Sequence, residues 1–273
     1  MMGRVRRGIM LAAQTILAAS LVATPVIAQP EDDVLAQYRE LLQDDNPADL
    51  WIERGEMLWK APGGPKKMSF EKCDLGKGPG VVKGAYAALP RYFPDVRRVM
   101  DLETRLVHCM TTLQGIPHAD AVRQPYGNGG KRSDFEALAA YIANQSRGMR
   151  ISVPLKHKAE RKAFALGKQI FFYRAGTHDF ACATCHGESD RRIRLQNLPN
   201  LSVPAQAARA YAGWPAYRVS QGELRTMQWR MVDCLRQQRM PELGFTSDAA
   251  IALITYLAHN ADGGVMQAPG LKR

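Results

Sequence analysis

The chain has 273 residues, five cysteines and a formal net charge of +11. This length suits two domains of roughly 100 to 120 residues better than one. A basic chain could bind nucleic acid, but the export signal described next makes nucleic acid an unsuitable partner. In an exported protein the positive charge instead favours an anionic substrate or an acidic protein as the binding partner.

Residues 1–28 are predicted to be a signal peptide. A short segment with three arginines precedes an apolar run that ends in small residues at Ala28. The alternative is a membrane anchor, but the run is short for a span and is interrupted by Gln14, Thr15 and Ser20. Cleavage after Ala28 leaves 34 basic and 26 acidic residues, a net charge of +8. We therefore expect a periplasmic protein with no membrane span, in which disulfides are allowed.

Two helices are predicted in the second half of the chain. The first covers residues 158–173, where apolar residues recur at helical spacing. The second follows a capping sequence at Ser247 and ends near Asp262. The two helices flank the strongest motif in the chain.

That motif is Cys182-Ala-Thr-Cys185-His186. Two thiols at this spacing can attach to the two vinyl groups of one haem, and the adjacent histidine can bind its iron, so the motif predicts a covalently attached haem c. A thioredoxin-like redox pair would need a βαβ context, which is missing. A zinc site would need further ligands at fixed spacing, and none lie nearby.

The two helices and the haem motif together resemble a class I cytochrome c domain. The resemblance implies that the first and last helices cross, with Gly167 and Phe171 packed against Tyr256. Residues 191–216 are rich in Pro, Asn and Leu and are expected to form a loop around the haem.

The first half of the chain repeats the second half in weakened form. Each match is weak alone, but four matches in the same order indicate an internal duplication. The paired segments are ERGEMLWK (53–60) with ALGKQIFF (165–172), CDLGKG (73–78) with CATCHG (182–187), RLVHCM (105–110) with RMVDCL (230–235), and YIANQ (141–145) with YLAHN (256–260).

The fold class predicted from this duplication is mainly α, with two tandem class I cytochrome c-like domains. We expect the domains to cover residues 29–150 and 151–273. Gly76 and Lys77 stand where the second repeat has its second haem cysteine and its histidine. The first domain is therefore expected to lack haem.

A disulfide between Cys73 and Cys109 is also expected. In the repeat, these residues match Cys182 and Cys234, two positions that lie close together around the haem of a cytochrome c domain. Without a haem, two neighbouring thiols in an oxidising compartment tend to pair. Such a crosslink stabilises a domain by about 3–4 kcal/mol in the chain-entropy model.

Cys234 is the cysteine left without a partner. It follows the haem motif, where a class I cytochrome usually offers methionine as the sixth iron ligand, and Met227, Met231 and Met240 are candidates for that role. A thiolate ligand favours Fe(III), whereas methionine raises the potential and suits electron carriage. A buried inert thiol is the third alternative. The surrounding arginines and the matching Cys109 favour a functional thiol.

The predicted features of the chain are two cytochrome c-like domains, one C-x-x-C-H motif, and an R-x-x-x-C element followed by Q-x-R-M-P. With these features the chain resembles the SoxA family, the cytochrome subunits of SoxAX complexes in bacterial thiosulfate oxidation. The resemblance extends over essentially the whole chain after the signal. It is carried by Cys182, Cys185, His186, Arg230 and Cys234. It implies one covalently attached haem c, with His186 and Cys234 as the axial iron ligands.

The resemblance also implies an activity, L-cysteine S-thiosulfotransferase. Thiosulfate would be coupled oxidatively to a cysteine of the carrier protein SoxYZ, and two electrons would pass to c-type haems, with SoxX as the heterodimer partner. In the family, the cysteine that matches Cys234 carries a persulfide and is catalytic. Arg230, one helical turn earlier, is expected to bind the oxygens of thiosulfate.

The alternative function is a periplasmic electron-transfer cytochrome c with Met227 or Met240 on the iron. Arg236 and Arg239 either extend a positive entrance to the site or are ordinary solvated charges. The paired R-x-x-x-C elements and the unassigned thiol of Cys234 favour the thiosulfotransferase over the electron carrier, whereas the roles of Arg236 and Arg239 stay open.

Overall fold

The computed structural model describes residues 46–128, 131–193 and 196–272, together with Gln37. The predicted signal peptide, residues 1–28, lies outside the described residues. Contacts divide the chain into residues 1–38 and residues 39–273, and all the elements below belong to the second unit. Among the described helices, none is both long enough and apolar enough to cross a membrane.

The first repeat consists of helices and one antiparallel hairpin. Asp101 begins the second helix by accepting a hydrogen bond from the backbone N–H of Thr104. Ser133 begins the last helix of this repeat in the same way. The elements are α1 (Asp49–Lys60), 3₁₀ turns at Phe70–Lys72 and Tyr86–Ala88, β1 (Arg91–Phe93), β2 (Arg98–Met100), α2 (Leu102–Thr112), α3 (His118–Ala121) and α4 (Asp134–Asn144).

The second repeat has the same order of main elements. The helix predicted over residues 158–173 is observed over Lys158–Phe172, and Ser247 caps the last helix as predicted. Strand β5 pairs antiparallel with β6 and parallel with β7. The elements are α5 (Lys158–Phe172), α6 (Cys182–His186), β3 (Arg192–Ile193), β4 (Gln196–Asn197), α7 (Pro204–Tyr211), β5 (Ala216–Arg218), β6 (Glu223–Arg225), α8 (Met227–Gln237), α9 (Asp248–Asn260) and β7 (Gly270–Lys272).

The segment 191–216 is more ordered than the expected loop. It contains the short strands β3 and β4, and it contains helix α7. Pro204 stands in the first turn of α7, where proline fits because no N–H is needed there. Ala207 and Tyr211 then bury one face of the helix. The proline content that suggested a loop thus marks a helix start.

Helices α5 and α9 cross at a glycine, as the cytochrome c resemblance implies. A Cβ on Gly167 would overlap the carbonyl oxygen of Ala252 and press on Tyr256. The rings of Phe171 and Tyr256 lie 5.0 Å apart at the same crossing. The absence of a side chain at Gly167 therefore lets the two helices approach closely.

The first repeat has the same crossing between α1 and α4. A Cβ on Gly55 would overlap the carbonyl oxygen of Ala137 and would press on Tyr141. Each crossing thus pairs one glycine with an alanine and with the tyrosine four residues later. This shared contact supports the duplication independently of the sequence alignment.

The N-terminus of α8 is joined to α2 of the first repeat by buried hydrogen bonds. The side-chain amide of Gln228 donates to Asp101 Oδ2 over 2.6 Å, and its backbone N–H donates to Glu103 Oε1 over 3.3 Å. The backbone N–H of Thr246 donates to Gln228 Oε1. Gln228 therefore connects both repeats at the start of the helix that carries Cys234.

A buried ion pair lies beside this connection. Arg225 Nη1 donates to Glu136 Oε1 over 3.1 Å and to the carbonyl of Gly127 over 3.0 Å. The Arg225 guanidinium also lies 4.6 Å from the ring centroid of Trp229. Strand β6 is thereby fixed to helix α4.

Cys73 and Cys109 form a disulfide between the loop after the first 3₁₀ turn and helix α2. Their Cα atoms are 5.7 Å apart, and both residues are buried. The bond closes a loop with a sequence separation of 36 residues. It joins the two residues that the repeat matches to Cys182 and Cys234.

We predict that Gly167→Ala destabilises the protein by about 1–3 kcal/mol or more, because the added methyl group forces α5 away from α9. Lys168→Ala, at the exposed next position, is the matched control and should change stability by less than about 0.5 kcal/mol. Urea unfolding of the two variants measures the difference. Equal stabilities would show that the crossing tolerates a side chain.

Removing the disulfide should lower the free energy of unfolding by about 3–4 kcal/mol, because the unfolded chain regains the freedom of the closed loop. The variant is Cys73→Ala together with Cys109→Ala, measured by urea unfolding. The haem spectrum of the folded variant should match that of the wild type. A variant as stable as the wild type would contradict this account of the bond.

Stability should also fall as the pH rises from about 4.5 to about 8. Burial, and then the charge of Asp101, raise the pKa of Glu103 from 4.5 to about 8. The folded protein therefore keeps a proton that the unfolded chain releases over this range. Urea unfolding at a series of pH values should show a flatter profile for Glu103→Gln. The exposed control, Glu53→Gln, should keep the wild-type slope. Parallel profiles for the wild type and both variants would show that Glu103 does not cause the pH dependence.

Candidate functional site

The haem motif forms the short helix α6, which follows the capping residue Ala181. The backbone N–H of Ala181 donates to Thr184 Oγ1 over 2.9 Å. Both thiols of the motif are free and partly buried. Cys182 and Cys185 stand three positions apart on one helix, a spacing that puts two side chains on the same face.

The ring of His186 is oriented by a backbone carbonyl. Its Nδ1 lies 3.0 Å from the carbonyl oxygen of Pro199, so Nδ1 carries the proton and donates it there. Burial lowers the pKa of His186, the Pro199 contact raises it, and the Arg230 charge lowers it further. A neutral imidazole with Nδ1 engaged leaves Nε2 available as a metal ligand.

Cys234 lies on α8 in the same electrostatic neighbourhood. Its thiol is free and partly buried. Burial raises the pKa of Cys234, the Arg230 charge lowers it, and the charges of Cys185 and Asp233 raise it. Burial, and then the charge of Cys234, raise the pKa of Cys182 to about 12. The three free thiols that the sequence singled out therefore lie within electrostatic range of one another.

Arg230 is on α8 one turn before Cys234, as predicted, and it is held by Asp233. Arg230 Nη1 donates to Asp233 Oδ2 over 3.3 Å. The same carboxylate accepts hydrogen bonds from Arg236 and from Gln237, at 2.8 and 2.7 Å. The Asp233 side chain is only 3% exposed. Sequence reasoning gave Asp233 no role, although its spacing of three residues from both arginines was a usable signal.

The other residues considered near the site differ in their surroundings. Met227 and Met231 are buried in the main hydrophobic core. The backbone of Met240 is close to Gly176, in the turn before α6. Arg236 is paired with Asp233 at an exposed position, and Arg239 is exposed. Cys182 and Ala183 of the haem motif pack against the same core cluster that contains Met227 and Met231.

The donor set fits a haem c. Two free thiols on one helix can attach the porphyrin, and His186 and Cys234 are available for the two axial positions. In the part of the chain that the structure describes, no group of three or more His, Cys, Asp or Glu side chains could hold a bare metal ion.

The matching positions of the first repeat are used for packing. Arg105, which corresponds to Arg230, is buried and donates to the carbonyl of Asp74 and to Asp95, at 2.6 and 2.7 Å. Its guanidinium lies 4.2 Å from the ring centroid of Phe93. Arg91 donates to the carbonyl of Gly76, in the loop that corresponds to the haem motif.

Comparison with known proteins assigns both halves of the chain to the same domain family. The family model for the SoxA/TsdA cytochrome c domain matches residues 54–151 and 166–266. These two segments correspond to the two repeats and confirm the predicted fold class, mainly α with two tandem cytochrome c-like domains.

Individual relatives are similar over nearly the whole chain. The L-cysteine S-thiosulfotransferase subunit SoxA of Hydrogenophilus thermoluteolus is 48% identical over 260 residues, which cover 93% of this chain and 95% of the relative. A protein of the same name from Hydrogenobacter thermophilus is 34% identical over 93% of each chain.

A solved structure is also similar. The crystal structure of SoxXA from P. pantotrophus matches with a TM-score of 0.71 and 26% identity, covering 87% of this chain and 84% of the solved chain. Family model, relatives and structure agree with the resemblance read from the haem motif and from Arg230 and Cys234. The chain belongs to the SoxA/TsdA cytochrome c family.

Proposed function

We propose that the chain is the SoxA subunit of an L-cysteine S-thiosulfotransferase, which couples thiosulfate oxidatively to a cysteine of the carrier protein SoxYZ. The observation that carries this proposal is the free, partly buried thiol of Cys234, with Arg230 one turn earlier on the same helix and its charge acting on that thiol. The relatives named L-cysteine S-thiosulfotransferase subunit support the same activity.

One covalently attached haem c is proposed for the second repeat. Cys182 and Cys185 would attach it, and His186 and Cys234 would bind its iron. When bound, the haem supplies an acceptor for one electron at a time. The first repeat is proposed to be without haem, because Cys73 and Cys109 are joined in a disulfide and Arg91 contacts Gly76.

The overall reaction requires an oxidant. The carrier thiol and thiosulfate combine to form a cysteine S-thiosulfonate, and one proton and two electrons are released. Since one haem accepts one electron, the second is assigned to the partner cytochrome SoxX. The similar P. pantotrophus structure is named SoxXA, which supports this pairing.

The side chains of this chain would bind and orient the anion. Arg230 offers planar donors that match the oxygens of thiosulfate. Its guanidinium is oriented by the buried Asp233 and acts electrostatically on Cys234. We propose that Cys234 is the catalytic sulfur and carries the persulfide typical of the family. Thiosulfate then meets a positive charge directly beside the reactive sulfur.

The proposed location is the periplasm, after removal of residues 1–28. The proposed partners are SoxX in a heterodimer, the carrier protein SoxYZ, and thiosulfate as the anionic substrate. Neither nucleic acid nor a membrane is a proposed partner. The alternative function is a periplasmic electron-transfer cytochrome c with Met227 or Met240 on the iron.

We predict that Cys234→Ala removes the low-spin thiolate signature from the EPR spectrum of the oxidised SoxAX complex and abolishes thiosulfate coupling to the carrier. The reason is that the variant loses both the axial sulfur and the catalytic sulfur. Met240→Leu is the matched control and should leave the spectrum and the activity unchanged. If Met240→Leu alters the spectrum and Cys234→Ala does not, the protein is an electron carrier.

A further inference from the structure

Helix α5 of the second repeat presents a one-sided basic face to solvent. The basic face consists of four exposed cations, Lys158, Arg161, Lys162 and Lys168. Residues three and four positions apart lie on the same side of a helix, so these charges form one stripe along α5. The opposite side of the helix is buried and carries Gly167 and Phe171.

The basic face is not neutralised by its neighbours. The one carboxylate of α5, Glu160, is turned inward and accepts hydrogen bonds from the backbone N–H groups of Tyr92 and His157. Within the described residues, the three lysines of the basic face make no ion pair, and Arg161 donates only to backbone carbonyls. The face therefore keeps its positive charge.

The equivalent helix of the first repeat, α1, has a different charge. It contains three carboxylates and two cations, whereas α5 contains one carboxylate and four cations. Both cations of α1 are also paired, Arg54 with Asp134 and Lys60 with Glu56. The two helices come from one duplication and make the same glycine crossing, so the fold itself does not require a basic stripe. The stripe is specific to the repeat that contains the haem motif.

The C-terminal end of α5 adds exposed apolar side chains to the basic face. Leu166 is 40% exposed, Phe172 is 48% exposed, and Tyr173, directly after the helix, is 69% exposed. Helix α5 packs against α6, which carries the haem motif. Exposed apolar and aromatic side chains bordered by charged ones are typical of protein–protein interfaces. This surface thus has the composition of a docking site and lies on a helix that contacts the haem motif.

We propose that the basic face, together with Leu166, Phe172 and Tyr173, is the docking surface for an acidic electron-accepting protein that reoxidises the complex. This inference rests on the proposed function. Each coupling of thiosulfate releases two electrons, so the complex has to pass electrons on before it can react again. Carboxylates of the acceptor lie against the cations of the basic face, and its apolar residues cover the aromatic end. One electron leaves in each encounter: the acceptor is reduced and the complex is oxidised, and no covalent bond changes.

The carrier protein is a less suitable occupant of this surface. Its cysteine has to reach Cys234 on α8, whereas α5 packs chiefly against α9 and α6. An electron acceptor, by contrast, has to approach the part of the chain that contains the haem motif. The position of the basic face therefore favours the acceptor.

The first test maps the contact in the complete SoxAX complex, with plastocyanin, a small copper protein with an acidic patch, as the probe. A carbodiimide joins lysines directly to carboxylates that touch them, and mass spectrometry identifies the linked lysines. Links at Lys158, Lys162 and Lys168 are expected. Links confined to other lysines would overturn the proposal. Protection of these three lysines from acetylation in the complex would also overturn it, because SoxX would then cover the surface.

The second test measures how fast oxidised plastocyanin reoxidises the dithionite-reduced complex at low ionic strength. A triple variant, Lys158→Gln with Lys162→Gln and Lys168→Gln, should lower the second-order rate constant by about tenfold or more, because electrostatic steering is lost. The rate constant of this variant should also depend less on salt.

The matched control removes the same charge from exposed positions of the first repeat. It combines Lys67→Gln, Lys72→Gln and Lys83→Gln, and it should change the rate constant by less than about twofold at the same ionic strength. Equal losses in the two triple variants would reduce the effect to net charge and overturn the proposal.

The proposed function can fail separately, because both tests use the complex without thiosulfate or carrier. A complex that binds plastocyanin at α5 but does not couple thiosulfate would overturn the thiosulfotransferase function and not the docking surface. Normal coupling of thiosulfate, with neither links nor steering at α5, would remove only the docking surface.

Discussion

The structure around the site depends on the buried hydrogen bonds of Gln228. This one residue, in the first turn of α8, is bound through its side-chain amide to Asp101 and to the backbone of Thr246, and through its own N–H to Glu103. Buried polar groups are stable only when they are satisfied, so these contacts fix the position of the helix start. The orientation of Arg230 and Cys234 follows, because both lie on the next turns of the same helix.

This dependence gives the first repeat a physical role although it has no haem motif. Its helix α2 and the capping residue before it supply the two carboxyl groups that hold α8, and its helix α4 supplies Glu136 for Arg225. In the first repeat, side chains fill the positions that match the haem site of the second repeat. The first repeat therefore needs a different source of stability. The Cys73–Cys109 disulfide and the buried Arg105 provide it. Positions that serve packing in the first repeat are thus the equivalents of those proposed for chemistry in the second.

The local features of the fold could be predicted from the sequence. Helices α5 and α9 follow from apolar spacing and from the Ser247 cap, and the Gly167 crossing follows from the cytochrome c resemblance. Helix α7 could not be predicted so easily, because Pro204 also suits a loop. The three-residue strands were not predicted either, since their pairing is set by contacts with distant segments such as β7.

The sequence by itself determined the chemistry available to this protein: the thiols of Cys182 and Cys185, the imidazole of His186, and the Arg230–Cys234 pair one helical turn apart. Spacing within one segment sets which side chains share a face, so such pairs can be read directly. Only the tertiary structure decided that Asp233 is buried and accepts hydrogen bonds from Arg230, Arg236 and Gln237. Burial and through-space charge depend on which segments pack together, and no local pattern records that.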